Sequence, residues 1–214
     1  MTENKKIVKR GTAKRLRKNA SHPPPNSTNA LEDPASFISH KLESQWEFWM
    51  HKPMVGTSDE AYTASLQHFP SFGSVEDFWA QFAHISQPSQ IVSSDPNPKV
   101  KGLSLFRKDV GPKWEHPKNN GQKITFKTNS NHFGDEIWRE IVLALVGEML
   151  PSSELVSGVR FAYTPDKNKR FFVYRMELWT SINDNLIIKA IEDHVMALSS
   201  DRNKFSSVSY GHQK

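Results

Sequence analysis

The stretch "GLSLFRKDVGPKWEHPKNNGQKITF" (102–126) consists of two short apolar segments separated by a polar loop. Each apolar segment, 102–106 and 122–126, has the residue types and the flanking Gly, Pro and Asn that predict a β-strand. The loop between them places Trp114 directly before Glu115. A tryptophan ring is usually buried and a carboxylate is usually exposed, so this adjacent pair makes the loop a candidate binding site.

Patterns in the rest of the chain predict an α+β fold. Ser74 suits an N-cap, Glu76 and Asp77 suit a first turn, and apolar residues follow at helical spacing, so a helix is predicted over 74–85. We expect a curved antiparallel sheet with about three α-helices packed on its convex face. The other predicted elements are helices at 134–150 and 183–198, and strands at 40–50, 65–69, 158–164, 170–179 and 205–210.

Charge divides the chain into two parts. Residues 1–20 hold eight Lys and Arg against one acidic residue, a balance of +7, whereas the whole chain of 214 residues carries +5, so the remainder carries about −2. We expect 1–34 to be a disordered basic and Pro-rich tail and 35–214 to form one domain. The tail could be a nuclear address, an RNA-contacting arm or a solvated extension. A nearly neutral domain is not typical of a general nucleic-acid groove, so any such contact there must be local.

Several kinds of chemistry lack support in the sequence. The chain has no cysteine, which excludes disulfides and thiolate zinc sites and suits the cytoplasm, with the nucleus as an alternative. Its nine histidines show no HExxH spacing, and the G-x-S-x-G, GxxxxGK[ST] and GxGxxG patterns are absent. We therefore predict no enzyme, no metal site, no cofactor and no membrane span.

Two residue groups could carry a binding function, and each has a simpler interpretation. Trp114 could stack on a base while Glu115 accepts hydrogen bonds from the N1–H and N2 amino groups of guanine. The alternative is a Trp packed into the core beside a surface Glu. Arg160 and the basic turn at 167–170 could hold phosphates, or the turn could be a solvated hairpin tip.

The order of several short motifs resembles the mRNA cap-binding translation initiation factor 4E family, over roughly residues 38–212. The resemblance rests on the order of the motifs, because each of them alone is weak. In sequence they are "HKL" before W-x-x-W (His40 to Trp49), "SVEDFW" (74–79), "GPKWE" (111–115), "IWREIVLALVGE" (137–148), "VR" before a basic turn, and "LWT" (178–180).

The resemblance implies a site for the 7-methylguanosine cap on the concave side of the sheet. Trp114 would be one of two rings that sandwich the base, and Glu115 would bind its Watson–Crick edge. The second ring would be Tyr62, where most members have Trp, contributed by the loop before "ASLQHF". Trp179 would lie near the N7-methyl group, and Arg160 with a companion cation from the basic turn would bind the phosphates. The full set implied for cap binding is Tyr62, Trp114, Glu115, Arg160, Lys167, Lys169, Arg170 and Trp179.

The resemblance also implies a partner-binding surface on the helical face. Partners of the family bind there through a short peptide that folds into a helix. Lys41 replaces the family's usual Pro, and Arg139 stands where an apolar residue is common. Ordinary core packing is the alternative for the apolar members of this surface. The implied positions are His40, Leu42, Val75, Trp79, Glu140, Leu143 and Gly147.

The expected protein is therefore a non-catalytic, monomeric module. It would bind the m7G end of mRNA and bridge it to a scaffold or repressor protein, in translation initiation or its regulation. An alternative is a protein-interaction or translational-repressor module with weak or lost cap binding. An enzyme of nucleotide chemistry, such as a cap hydrolase, is a third hypothesis.

Overall fold

The computed structural model describes residues 39–93, 95, 98–165, 170–201, 203 and 206–210. The predicted tail at 1–34 lies outside these residues. The described strands form an eight-stranded antiparallel sheet in the order β2-β1-β4-β6-β7-β5-β8, with β3 also paired to β1. Its strands are β1 (Lys41–His51), β2 (Leu66–His68), β3 (Phe72–Ser74), β4 (Gly102–Arg107), β5 (Lys123–Thr128), β6 (Val156–Pro165), β7 (Phe172–Thr180) and β8 (Ser206–Tyr210).

Helices accompany the sheet, and the α+β class expected from the sequence is confirmed. The three long helices α2, α4 and α5 fall where they were predicted, whereas the shorter α1 and α3 were not expected. No helix among the described residues is long and apolar enough to cross a membrane. The helices are α1 (Asp59–Ser65), α2 (Val75–Phe82), α3 (Pro88–Ile91), α4 (Asn131–Val146) and α5 (Asn185–Leu198).

Side-chain caps fix where the long helices begin. The Ser74 hydroxyl accepts a hydrogen bond from the backbone N–H of Asp77 at 3.1 Å, as predicted for the start of α2. Ser130 caps α4 by accepting from Phe133 N–H at 3.4 Å, so this helix begins at residue 131 rather than at 134. Each cap satisfies a backbone donor that has no partner within the helix.

The core lies between the sheet and the long helices, because one side of every central strand is apolar. Trp46 and Phe48 of β1 belong to it, and Trp138 and Ile141 of α4 line the same core from the helical side. Both tryptophans are 0% exposed, which accounts for two of the six in the chain. The central strands contribute Leu103, Leu105, Ile124, Phe126, Val159, Phe161, Met176 and Leu178 to the same core.

A half-buried arginine at the edge of this core, Arg107 of β4, joins β4 to Glu148 and to the start of β6 by hydrogen bonds. The Arg107 guanidinium donates from Nη1 and Nη2 to the two carboxylate oxygens of Glu148, at 2.9 and 2.8 Å, and from Nε to the Val156 carbonyl at 3.0 Å. It also lies 4.7 Å from the centre of the Trp46 ring. A planar guanidinium is suited to such a bidentate pair. Burial raises the pKa of Glu148, but hydrogen bonds led by that of Arg107 outweigh it and hold this pKa below its usual value.

We expect Arg107→Lys to lower the free energy of unfolding by about 1–3 kcal/mol, because lysine keeps the charge but loses the paired geometry. The measurement is urea denaturation followed by circular dichroism. The matched control is Arg139→Lys, at an arginine whose side chain is 51% exposed and pairs with the adjacent Glu140, where the expected change is below about 0.5 kcal/mol. Equal effects of the two substitutions would contradict this account.

Candidate functional site

The sheet face opposite the helices carries a row of polar and charged side chains. Cross-strand partners share a face, and the register pairs Trp49 with Ser104, Ser104 with Arg160, and Arg160 with Glu177. The core residues Phe48, Leu105, Val159 and Leu178, each next to a member of the row along its strand, point towards the helices. The row therefore crosses the four strands β1, β4, β6 and β7 on the other face of the sheet.

An aromatic cluster occupies the end of this face near the predicted Trp-Glu loop. The Trp114 ring stacks on the Trp179 ring with centroids 3.8 Å apart and an interplanar angle of 24°. Phe106 meets Trp179 edge-on at 5.3 Å. Trp179 is 1% exposed, whereas Trp114 is half-buried. The two tryptophans that the sequence assigned to one site are thus in direct contact, with Trp114 covering Trp179; Val110 and Trp49 complete the cluster.

The loop that carries Trp114 is held at its base by hydrogen bonds. Buried Asn119 donates from Nδ2 to the carbonyls of Gly111 at 2.9 Å and Lys113 at 2.7 Å. Gly111 has a φ of +63°, a conformation that glycine adopts without steric strain. Gly121 donates to the Thr180 carbonyl at 2.9 Å, and a Cβ there would lie 2.2 Å from the Ile182 nitrogen. These contacts fasten the loop beside the end of β7, directly next to Trp179.

Tyr62 lies in α1, not in a loop as the sequence suggested. Ser58 caps this short helix, and the Tyr62 hydroxyl donates to the Pro112 carbonyl at 2.7 Å, which joins α1 to the Trp114 loop. Burial raises the pKa of Tyr62, the charge of Arg160 opposes that shift, and Glu177 and Glu115 add to it. Tyr62 is therefore within electrostatic reach of the predicted site. Glu115 itself is exposed.

Three charged side chains form a floor beside the tryptophans. Glu177 is 5% exposed, and its Oε2 lies 3.7 Å from Arg160 Nη1. Its Oε1 lies 3.7 Å from Lys123 Nζ, and the same nitrogen lies 5.0 Å from the centre of the Trp114 ring. The sequence had indicated only Arg160 of these three. Lys123 was missed because its relation to the site depends on the pairing of β5 with β7, and Glu177 was missed although it stands two residues before Trp179 on the same strand.

The structure describes only one residue of the basic turn at 167–170, which was predicted to hold phosphates. Lys167 and Lys169 lie outside the described residues, and Arg170 is exposed just before β7. The structure adds Arg175, which pairs with Ala162 of β6 and lies two residues from Glu177, on the same face of the sheet. The period of two in "RMELW", counted back from Trp179, was the signal that could have identified Arg175.

A buried histidine lies at the edge of the polar row. His51 is 4% exposed, and its Nε2 is 2.8 Å from the Ser104 hydroxyl oxygen. Its ring centre is 6.5 Å from that of Tyr62. Burial, reinforced by the charge of Arg160, lowers the pKa of His51 from 6.5 to about 3. The imidazole is therefore neutral near pH 7.

The predicted partner-binding residues fall into two groups on the helical side. In the first group, the His40 carbonyl accepts from Val75 N–H at 2.8 Å, and His40 Nδ1 lies 2.6 Å from Glu76. Val75 is 36% exposed and Trp79 is 49% exposed, so neither is an ordinary core residue. Leu42 packs against the edge of the core.

The second group lies on α4 and at its C-terminal end. Leu143 packs partly against the core, Glu140 is half-buried and Gly147 is exposed. Met149, which the sequence reasoning missed, is 59% exposed, and a Cβ on Gly147 would lie 3.4 Å from its side chain. The apolar side chains exposed here add to those of α2.

Comparison with known proteins gives this arrangement a family context. The sequence model described as "Eukaryotic initiation factor 4E" matches residues 41–213. The chain is 34% identical to eukaryotic translation initiation factor 4E-2 of Schizosaccharomyces pombe over 170 residues, which are 76% of this chain and 63% of that protein. It is 32% identical to eukaryotic translation initiation factor isoform 4E of Capsicum annuum over 148 residues, 68% of this chain and 67% of that protein.

Solved structures show the same fold. A Schistosome eIF4E, in complex with m7GpppG and 4E-BP, superposes with a TM-score of 0.61 at 25% identity, covering 75% of this chain and 83% of that chain. Ascaris suum eIF4E-3, in complex with an m2,2,7G cap, superposes with a TM-score of 0.65 at 21% identity, covering 79% and 91%. The latter likeness concerns the fold alone.

The neutral His51 predicts a pH dependence of stability. In the unfolded chain this histidine takes up a proton near pH 6.5, but in the folded protein it does so only near pH 3. The unfolded state therefore binds more protons between these values, and the stabilising contribution is complete above pH 6.5 and lost as the pH falls. We expect a loss of about 1–2 kcal/mol between about pH 7 and pH 5 that His51→Gln abolishes.

The measurement is the free energy of unfolding from urea titrations across this pH range. His84→Gln, at an exposed histidine, is the control and should keep the slope of the wild type. An unchanged slope in His51→Gln would show that another group causes the pH dependence.

Proposed function

Because the chain belongs to the eukaryotic initiation factor 4E family, we propose that it binds the 7-methylguanosine 5′ cap of mRNA on the sheet face opposite the helices. Members of this family are binding factors and not enzymes, so no catalytic step is involved. We further propose that the helical face binds a scaffold or repressor protein. The protein would then act in translation initiation or in its regulation.

The observation that carries the proposal is the contact of Trp114 with Trp179 beside Tyr62, Glu115 and Arg160. An aromatic ring stacks on a nucleobase for roughly 1–3 kcal/mol, and the positive charge of a methylated guanine strengthens its interaction with the ring face. Glu115, next to Trp114 and exposed, would accept the N1–H and N2 amino hydrogens of the base. Tyr62 would supply the opposite ring.

Base binding in this form requires the Trp114 ring to move. Trp114 now covers Trp179, which is 1% exposed, so the proposed contact of Trp179 with the N7-methyl group needs this stack to open. The hydrogen bond from the Tyr62 hydroxyl to the Pro112 carbonyl connects the two sides of the proposed sandwich. Movement of the loop that carries Trp114 would therefore also shift the Tyr62 ring.

The phosphates of the cap would bind along β6 and β7. Arg160 is on the same face as Trp179, and Arg175 lies four residues before Trp179 on the same face of β7. The strand from Phe172 to Trp179 is about 23 Å long, and Arg170 precedes it. We therefore assign the second phosphate cation to Arg175 rather than Arg170. Lys167 and Lys169 remain predictions outside the described residues.

The partner surface is proposed for an amphipathic helical peptide. Such a helix buries its apolar face in a groove, and Val75, Trp79 and Met149 expose apolar surface on the helical side. Leu143 lies on α4 and Gly147 at its C-terminal end, and Glu140 of the same helix can accept hydrogen bonds from the peptide. His40 is fixed by Glu76 at the start of α2. Exposed tryptophans such as Trp79 are frequent hot spots of interfaces.

A second candidate function is an interaction or repressor module with weak or lost cap binding. The observation that favours it is the burial of Trp179 beneath Trp114, because opening the stack would reduce affinity for the base. Cap titration decides between the two. A cap-binding protein binds m7GTP much more tightly than GTP, whereas the interaction module binds neither.

We expect Glu115→Ala to weaken m7GTP binding about 10–100-fold and to remove most of the preference for guanine, because two donors of the base lose a charged acceptor. Trp114→Ala should weaken binding at least as much. Isothermal titration calorimetry is the suitable measurement, since Trp114 itself contributes to fluorescence. Glu154→Ala, at an exposed carboxylate on another part of the surface, should bind like the wild type. Wild-type affinity in Glu115→Ala would refute the assignment of the site.

We expect Trp79→Ala to weaken binding of a helical peptide, carrying one Tyr and two apolar anchors, by at least about tenfold. Fluorescence anisotropy with a labelled peptide measures this change. Leu186→Ala is the control, since this leucine is 83% exposed but lies on α5. Affinity of Trp79→Ala for m7GTP should remain that of the wild type. Loss of both activities together would indicate misfolding instead of a local contact.

A further inference from the structure

Glu177 is the buried carboxylate of the site, and the proposed function does not use it. Among the described acidic residues it alone is buried, at 5% exposure. Its Oε2 has no hydrogen-bond partner among the described residues, and the same holds for the Arg160 Nε. A buried charge of this kind is tolerated only where opposite charges compensate for lost hydration. Here the compensation comes from Arg160 and Lys123, each 3.7 Å away.

Arg160 is one of the two cations assigned to the phosphates, and Lys123 Nζ lies 5.0 Å from the centre of the Trp114 ring, so a phosphate beside the tryptophans would approach both. The side chains of Arg160 and Lys123 are 26% and 27% exposed, so both can be reached from solvent. The Glu177 carboxylate lies between them, on the face that carries Trp179. Its negative charge offsets one of these positive charges and repels an incoming phosphate. The ion pairs are long and lack hydrogen bonds, so the cations are not saturated by Glu177.

We infer that Glu177 is a specificity-determining residue that limits how much the phosphate chain contributes to nucleotide affinity. This inference rests on the proposed cap-binding function. The protein would consequently select its ligand mainly by the methylated base. Each added phosphate should increase affinity only weakly, because Arg160 and Lys123 already share the charge of Glu177.

The test compares m7GMP, m7GDP and m7GTP on wild type and Glu177→Gln by isothermal titration calorimetry. Glutamine keeps the size of the side chain and removes its charge. We expect Glu177→Gln to bind m7GTP about tenfold more tightly than wild type does, with m7GMP affinity changed less than about threefold. Glu47→Gln is the matched control, because Glu47 is a half-buried carboxylate on β1; it should leave the dependence on phosphate number unchanged.

Several results would overturn the inference. Weaker m7GTP binding by Glu177→Gln, or an equal change for all three nucleotides, would mean that Glu177 only holds Arg160 in place. The wild type supplies an independent check that needs no variant. Its affinity should rise less than about tenfold from m7GMP to m7GTP, and any larger rise would refute the inference. If the wild type binds all three nucleotides, these results contradict only this inference. A wild type that binds none of them contradicts the proposed function as well.

Discussion

The alternation of side chains along paired strands is the constraint on which the rest of the structure depends. Burial of Trp46 and Phe48 under the helices forces Trp49 to the other face of β1, and burial of Leu178 forces Trp179 and Glu177 there on β7. A shift of one residue in any strand would exchange the two sets. The position of the site is therefore determined by the same contacts that stabilise the core.

The site combines a firmly held frame with incompletely satisfied groups. Asn119 and Gly121 fasten the base of the loop, so Trp114 is held beside the end of β7. In contrast, Glu177 and Arg160 face each other without a hydrogen bond. Unsatisfied buried polar groups reduce stability, and natural proteins retain them mainly where function requires them. The frame supplies the stability that such a site needs.

Local signals made much of the fold predictable. The Ser74 cap and the hairpin of β6 and β7 depend on neighbouring residues, so both could be inferred without a structure. The short α1 and α3 have no extended apolar stripe, so the sequence does not predict them. Trp114 and Glu115 were identified by adjacency and by resemblance, but the stack of Trp114 on Trp179 depends on how a loop folds back onto a strand. The relation of Glu177 to Lys123 depends on pairing between distant strands, for which the sequence offers no local signal.

The register of β6 and β7 has a consequence for how this chain can diverge. From Gly158 opposite Trp179 to Pro165 opposite Phe172, every residue of the hairpin has a partner in an unbroken ladder. A single residue inserted within the ladder would move the side chains between the insertion and the next bulge to the opposite face of the sheet, and Arg175 and Glu177 could be among them. Residues added between Pro165 and Phe172 leave that ladder unchanged. Evolution can therefore lengthen or shorten the segment between these two residues without altering the part of the sheet that carries the tryptophans.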